Sequence, residues 1–102
     1  MYPYGAASSG FTFEQAGSVT AVQMPNNECY YVRLKARAAN TGKAYVGFSN
    51  AVTKADGTAD TTSGFELSAK DDTGWIPIRN TNKFWVICDN ATDTLIVMGL
   101  VV

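Results

Sequence analysis

From Ser18 to the last residues of the chain, apolar and polar positions alternate in short runs, and clusters of turn-forming residues separate the runs. Candidate strands cover roughly residues 18–24, 29–37, 43–49, 64–68, 74–79, 83–89 and 94–101. The turn signals are Pro25-Asn26-Asn27, Asn40-Thr41-Gly42, Asp56-Gly57, Asp71-Asp72-Thr73-Gly74, Asn80-Thr81-Asn82 and Asn90-Ala91-Thr92-Asp93. No segment holds a helical period for more than a turn or two. About seven short antiparallel strands at this spacing predict an all-β fold: a single β-sandwich or jelly roll over residues 18–102.

Residues 1–17 read differently. They mix Gly, Ala, Ser and aromatics without a sustained period and predict an extended N-terminal arm. Thr12-Phe13-Glu14-Gln15 has the form of a capping box and Gly17 that of a helix stop, enough for one short turn. Four aromatics lie in the arm: Tyr2, Tyr4, Phe11 and Phe13. Two readings stand side by side, an arm packed back on its own domain and an arm reaching onto a neighbouring subunit.

Two strands break the alternation. Phe84-Trp85-Val86-Ile87-Cys88 and Leu95-Ile96-Val97-Met98-Gly99-Leu100-Val101-Val102 are apolar at both parities. A strand with one buried face alternates, so these lie deep in the sandwich or pack their second face on another subunit. A domain this small has little material to cover both faces of two strands, which favours an oligomeric or docked state.

Composition agrees. In 102 residues, 46% are hydrophobic and only 17% charged, against the usual ~25% charged in soluble proteins. The net charge of −1 and apolar content argue against disorder and against sequence-independent nucleic-acid binding. The chain has no histidine, which removes the commonest general base and most zinc and copper sites. No apolar run approaches the ~18 residues of a membrane span. The residues after Met1 lack the basic and apolar regions of a secretory signal, and an unprocessed cytosolic product is expected.

Charge is unevenly placed. Residues 29–55 hold five basic groups and no acid, whereas 56–102 hold seven acids and three bases. Arg33, Lys35 and Arg37 alternate along one strand and form a basic stripe on one face. Such a stripe is a solvated face paired with nearby carboxylates, or a surface that steers docking onto an acidic protein.

The cysteines, Cys29 and Cys88, lie far apart in the chain. By parity Cys29 shares a face with Arg33, Lys35 and Arg37, so free thiols are expected rather than a core disulfide. Candidate chemistry is sparse. Asp56-Gly57-Thr58-Ala59-Asp60 starts like a calcium loop, but Leu67 stands where the closing glutamate belongs, so a turn is expected. Asp71-Asp72 are adjacent carboxylates pointing different ways, and Asp89 and Asp93 flank a turn. Cys88 has no base to activate it. No catalytic constellation, cofactor site or metal site is expected. A carbohydrate-binding module is a further class, with Trp75 as the candidate platform and Trp85 expected in the core.

The segment Ile76-Pro77-Ile78-Arg79-Asn80-Thr81-Asn82-Lys83-Phe84-Trp85-Val86-Ile87 resembles the small virion structural proteins of tailed bacteriophages. Asn40-Thr41-Gly42 leading to Tyr45-Val46-Gly47, then Gly64-Phe65-Glu66-Leu67, and a closing Asp93-Thr94-Leu95-Ile96-Val97-Met98 strand complete the likeness. The resemblance covers roughly residues 30–102. It implies a non-enzymatic β-sandwich that coats or joins parts of a phage particle. The expected protein is a capsid decoration (cement) subunit, made in the host cytoplasm and carried on the capsid surface, with a neck, tail or fibre-attachment component as the alternative. Its expected partners are the major capsid protein and its own copies, as a trimer. No nucleic acid, membrane or small-molecule substrate is expected. In this reading Tyr2, Tyr4, Phe11 and Phe13 anchor the arm, Arg33, Lys35 and Arg37 set orientation, and Leu100, Val101 and Val102 pack between subunits.

Overall fold

The structure, a computed structural model, describes residues 9–54 and 63–101. The strands are β1 (Ser9–Gln15), β2 (Val22–Gln23), β3 (Tyr31–Ala36), β4 (Ala44–Gly47), β5 (Phe65–Leu67), β6 (Ile76–Pro77), β7 (Trp85–Cys88) and β8 (Leu95–Val101). A 3-10 turn, Thr81–Lys83, precedes β7. The strands form two four-stranded antiparallel sheets in the orders β1-β8-β3-β6 and β2-β7-β4-β5. This is the all-β sandwich that the alternation predicts. Its core is filled by Val32, Leu34 and Ala36 of β3, Leu95 and Val97 of β8, Ala44 and Val46 of β4, and Val86 and Cys88 of β7.

The strands that are apolar at both parities are the inner ones. β8 lies between β1 and β3, and β7 between β2 and β4. Part of the second-face cover comes from the chain itself. Tyr45 points away from the core yet is buried, and Val52, also buried, packs over this outer side of β4. Trp85, expected in the core, has the outward parity of β7 and is half-buried; its neighbours Phe84 and Val86 take the core positions.

Two local expectations are overturned. In place of a short helical turn, residues 9–15 form a strand packed back on the domain, as one of the two readings of the arm has it, paired along all seven positions with β8, from Ser9↔Val101 to Gln15↔Leu95. The Thr12-x-x-Gln15 capping box does not form. Phe11 and Phe13 face inward, half-buried, with ring centroids 6.0 Å apart, while Thr12 and Glu14 face out. Alternation in Phe11-Thr12-Phe13-Glu14 therefore wins over the capping pattern, because pairing with β8 offers a full ladder and an apolar floor. Gly17 serves close packing rather than a helix stop: a Cβ there would overlap the Asp93 carbonyl oxygen.

The second correction concerns Cys29, which is buried rather than on the basic face. Tyr31 pairs with Leu100, and the Tyr30 N–H also donates to the Leu100 carbonyl at 2.9 Å. Two residues thus oppose one, a bulge that shifts side-chain parity by one position. Upstream of it the odd position faces in. Both thiols are free, as expected, and burial pushes each above its ordinary pKa.

The turns are held by side chains that replace missing ladder bonds. Buried Asp93 accepts from the N–H groups of Thr41 (3.0 Å) and Gly42 (3.3 Å) and from Asn90 Nδ2 (3.1 Å). Asn40 clasps Thr94 through both its side-chain oxygen and nitrogen, each at 2.9 Å. At the far end, buried Thr81 donates its hydroxyl to the Pro25 carbonyl at 2.6 Å, and Asn80 Oδ1 accepts from the N–H groups of Asn27 and Asn82 at 3.0 Å each. Asp56–Asp60 lies outside the described residues, as do Tyr2, Tyr4 and Val102.

Candidate apolar docking site

The sheet edges β5 and β6 lie at corresponding ends of the two sheet orders, and a cleft of about 310 Å³ opens between the sheets. Leu34, Ile76 and Thr73 line it from one sheet; Val46, Phe65 and Phe84, with Phe48 just past β4, line it from the other. Phe48 stacks on buried Phe84 with centroids 5.5 Å apart. Phe48 and Phe65 nevertheless remain 72% and 64% exposed. The cleft's one hydroxyl, on Thr73, is already engaged, donating to the Gly74 carbonyl (2.8 Å) and accepting from the Leu34 N–H (3.1 Å). The volume sits at the lower end of ligand sites, about 300–1,000 Å³. With no titratable group and no free hydroxyl on its wall, the cleft suits an apolar side chain rather than a polar ligand. Among the described residues no group of three or more His, Cys, Asp or Glu could hold a metal, and no helix is long and apolar enough to cross a membrane.

The structure separates the residues the sequence singled out. Phe11 and Phe13 pack on the domain's own core at the opposite edge from the cleft. Of the basic stripe, two members are paired internally. Arg33 grips Asp72 through Nε (2.9 and 2.8 Å) and Nη2 (2.7 Å) and lies 5.8 Å from the Trp75 ring centroid, covering one face of that indole. Arg37 Nη1 meets Glu14 at 2.9 Å. Lys35 has no ion pair among the described residues, although its charge also acts on the Asp72 carboxylate. The hydrogen bonds from Arg33, then from the Gly74 N–H, hold the Asp72 carboxyl below its ordinary range. Asp71 turns the other way and accepts from the Ser68 N–H at 3.0 Å, so the two carboxylates do not act together.

Leu100 and Val101 belong to β8, whose two edges are both taken by β1 and β3, so this strand does not present a free edge to another chain. Its outward row, Ile96, Met98 and Leu100, forms an apolar line between the Thr12/Glu14 and Arg33/Lys35 rows, with Met98 43% exposed. The cleft residues Phe48 and Phe65 escape sequence reading. Phe65 shares parity with buried Leu67, yet on edge strand β5 at the cleft it is 64% exposed. Comparison with family models, curated proteins and solved structures finds no match to this chain.

Proposed function

We propose that the chain is a structural subunit of a tailed-bacteriophage particle, a capsid decoration protein that binds between major capsid subunits and stabilises the head. The observation that supports this reading best is the apolar cleft, with Phe48 and Phe65 largely exposed on either side of it. Exposed aromatics around a pocket that lacks polar recognition groups are the anatomy of a protein-docking hot spot. A capsid surface loop offering one apolar side chain would fill the cleft, and Lys35 would steer orientation against acidic capsid residues. Stabilisation then comes from buried area: a contact of about 1,600 Å², repeated over a shell, favours the assembled form by mass action.

The test is the copy number of the chain in purified particles, measured against the major capsid protein by quantitative mass spectrometry. A ratio near one supports decoration. A dozen copies or fewer would assign the chain to the neck or tail instead, and absence from particles would overturn the reading. In parallel, Phe65→Ser should weaken binding to particles while leaving the melting temperature nearly unchanged, because Phe65 is mostly exposed.

A further inference from the structure

Each sheet of an open sandwich has two edges, and an unprotected edge is a template for another strand. Three of the four edges here are blunted by shortness: β2 and β6 have two residues each, β5 has three, and β6 also carries Pro77. The fourth, β1, differs on every count. It has seven residues in unbroken register with β8, no proline and no lysine. Its one charge, Glu14, is neutralised by Arg37 of the same chain at 2.9 Å.

Which backbone groups face the open side follows from β8. The Leu100 and Thr94 carbonyls both accept from the β3 side, from Tyr30 and Arg37, so even positions of β8 bond towards β3 and odd positions towards β1. Ser9, Phe11, Phe13 and Gln15 pair with those odd positions. The N–H and C=O groups of Gly10, Thr12 and Glu14 therefore point away from the sheet, and no backbone partner lies on that side among the described residues.

The geometry points to a second copy of this chain as the occupant of that edge, through antiparallel pairing of β1 with its two-fold mate. The strand is self-complementary about Thr12, its central residue. In the register that places Thr12 opposite Thr12 of the second copy, all seven residues overlap and outward-facing residues meet outward-facing residues. Gly10 faces Glu14 of the second copy, so no like charges oppose each other. Phe11 falls beside Phe13 of the second copy on the core side. Both rings are only half-buried in one chain. Pairing gathers four phenylalanines into one cluster and joins the two sheets into a continuous eight-stranded sheet. The contact is isologous and closes at two copies, unlike the trimer expected from the sequence. It leaves the Phe48/Phe65 cleft open at the far edge of each sandwich.

Sedimentation velocity over a concentration series tests this. The wild-type chain should show a monomer–dimer equilibrium, and Thr12→Pro, which removes only an outward N–H, should be monomeric. In a hydrogen-bonded antiparallel pair the Cα atoms are about 5.5 Å apart, within disulfide reach. Thr12→Cys should then form a covalent dimer on oxidation. Glu14→Cys should not, since four residues of offset separate its Cα atoms by about 14 Å. If Thr12→Pro fails to fold, charge pairing replaces it: Thr12→Lys and Thr12→Glu should each be monomeric alone and associate when mixed. A wild-type chain monomeric at millimolar concentration, a trimer, or cross-linking at position 14 instead of 12 would overturn the proposal.

Discussion

The contact between Gly99 and Phe11 supports a sharp quantitative test. The two residues face each other across β8 and β1, and a Cβ built on Gly99 would lie 2.1 Å from Phe11 Cζ and 2.6 Å from both Cε atoms. Carbon atoms rest at about 3.5–4.0 Å, so in Gly99→Ala the ring must move by roughly 1.5 Å. The ladder pins both backbones, which leaves only a swing of the ring towards solvent. That swing gives up the stack on Phe13, worth about 0.5–1.5 kcal/mol, and the burial of a half-buried phenylalanine, about 1 kcal/mol. Alanine offsets about 0.5–1 kcal/mol by restricting the unfolded chain. The net expectation is a loss of about 0.5–2 kcal/mol, or roughly 2–16 °C in melting temperature. In a Phe11→Ala background the obstacle is gone, and Gly99→Ala should be neutral or stabilising. Urea denaturation of the four proteins of this cycle, at dilutions that keep the chain monomeric, measures the coupling. Equal costs in both backgrounds would refute the packing argument.

Three further outcomes are expected. Asp93→Ala should cost about 2 kcal/mol by chemical denaturation, since it removes the buried carboxylate that accepts three part-buried hydrogen bonds; Asp93→Asn should recover part of the loss. Asp72 has a folded pKa depressed below its reference of 3.8, so its contribution is present above that value and fades as pH falls through the lower folded one. The stability gap between wild type and Asp72→Asn should therefore be constant from pH 7 to about 5 and shrink below about 4; a gap unchanged at low pH would contradict the assignment. Lys70 sits at φ +74° in the turn closed by the bond from Asp71 N–H to the Ser68 carbonyl. Lys70→Gly should raise stability by about 0.5 kcal/mol, the left-handed strain relieved less the added chain entropy, read as a small rise in melting temperature.

Strand identity was legible wherever side-chain period and turn chemistry agreed. The run Tyr31 to Ala36 alternates, and the structure buries Val32, Leu34 and Ala36 while exposing Arg33 and Lys35. What escaped was set by neighbours remote in sequence. β1 was hidden because a seven-residue strand and a capping box share Thr12 and Gln15, and only β8 decides between them. Cys29 was misplaced because nothing in Cys29-Tyr30-Tyr31 signals a bulge; two residues opposing Leu100 is a property of the pairing. Arg33, Lys35 and Arg37 do share a face, yet their carboxylate partners Asp72 and Glu14 come from distant segments, so whether the stripe was spent or free could not be read locally. The cleft was invisible for a related reason. Phe65 carries the parity of buried Leu67, and its exposure comes with the edge position of β5, which only the sheet order reveals.

The place of β8 at the middle of its sheet has a kinetic consequence. Its two neighbours, β1 and β3, do not pair with each other, and each waits for a strand from the other end of the chain. Neither can be formed first as a local hairpin, so large loops must close before any of this sheet's ladder compensates the entropy lost. Folding should accordingly be slow for the chain's size, in the millisecond-to-second range of non-local β topologies. Until β8 docks, the seven-residue β1 segment has no sheet to join, and a single late event both completes the core and creates the edge through which two copies can meet.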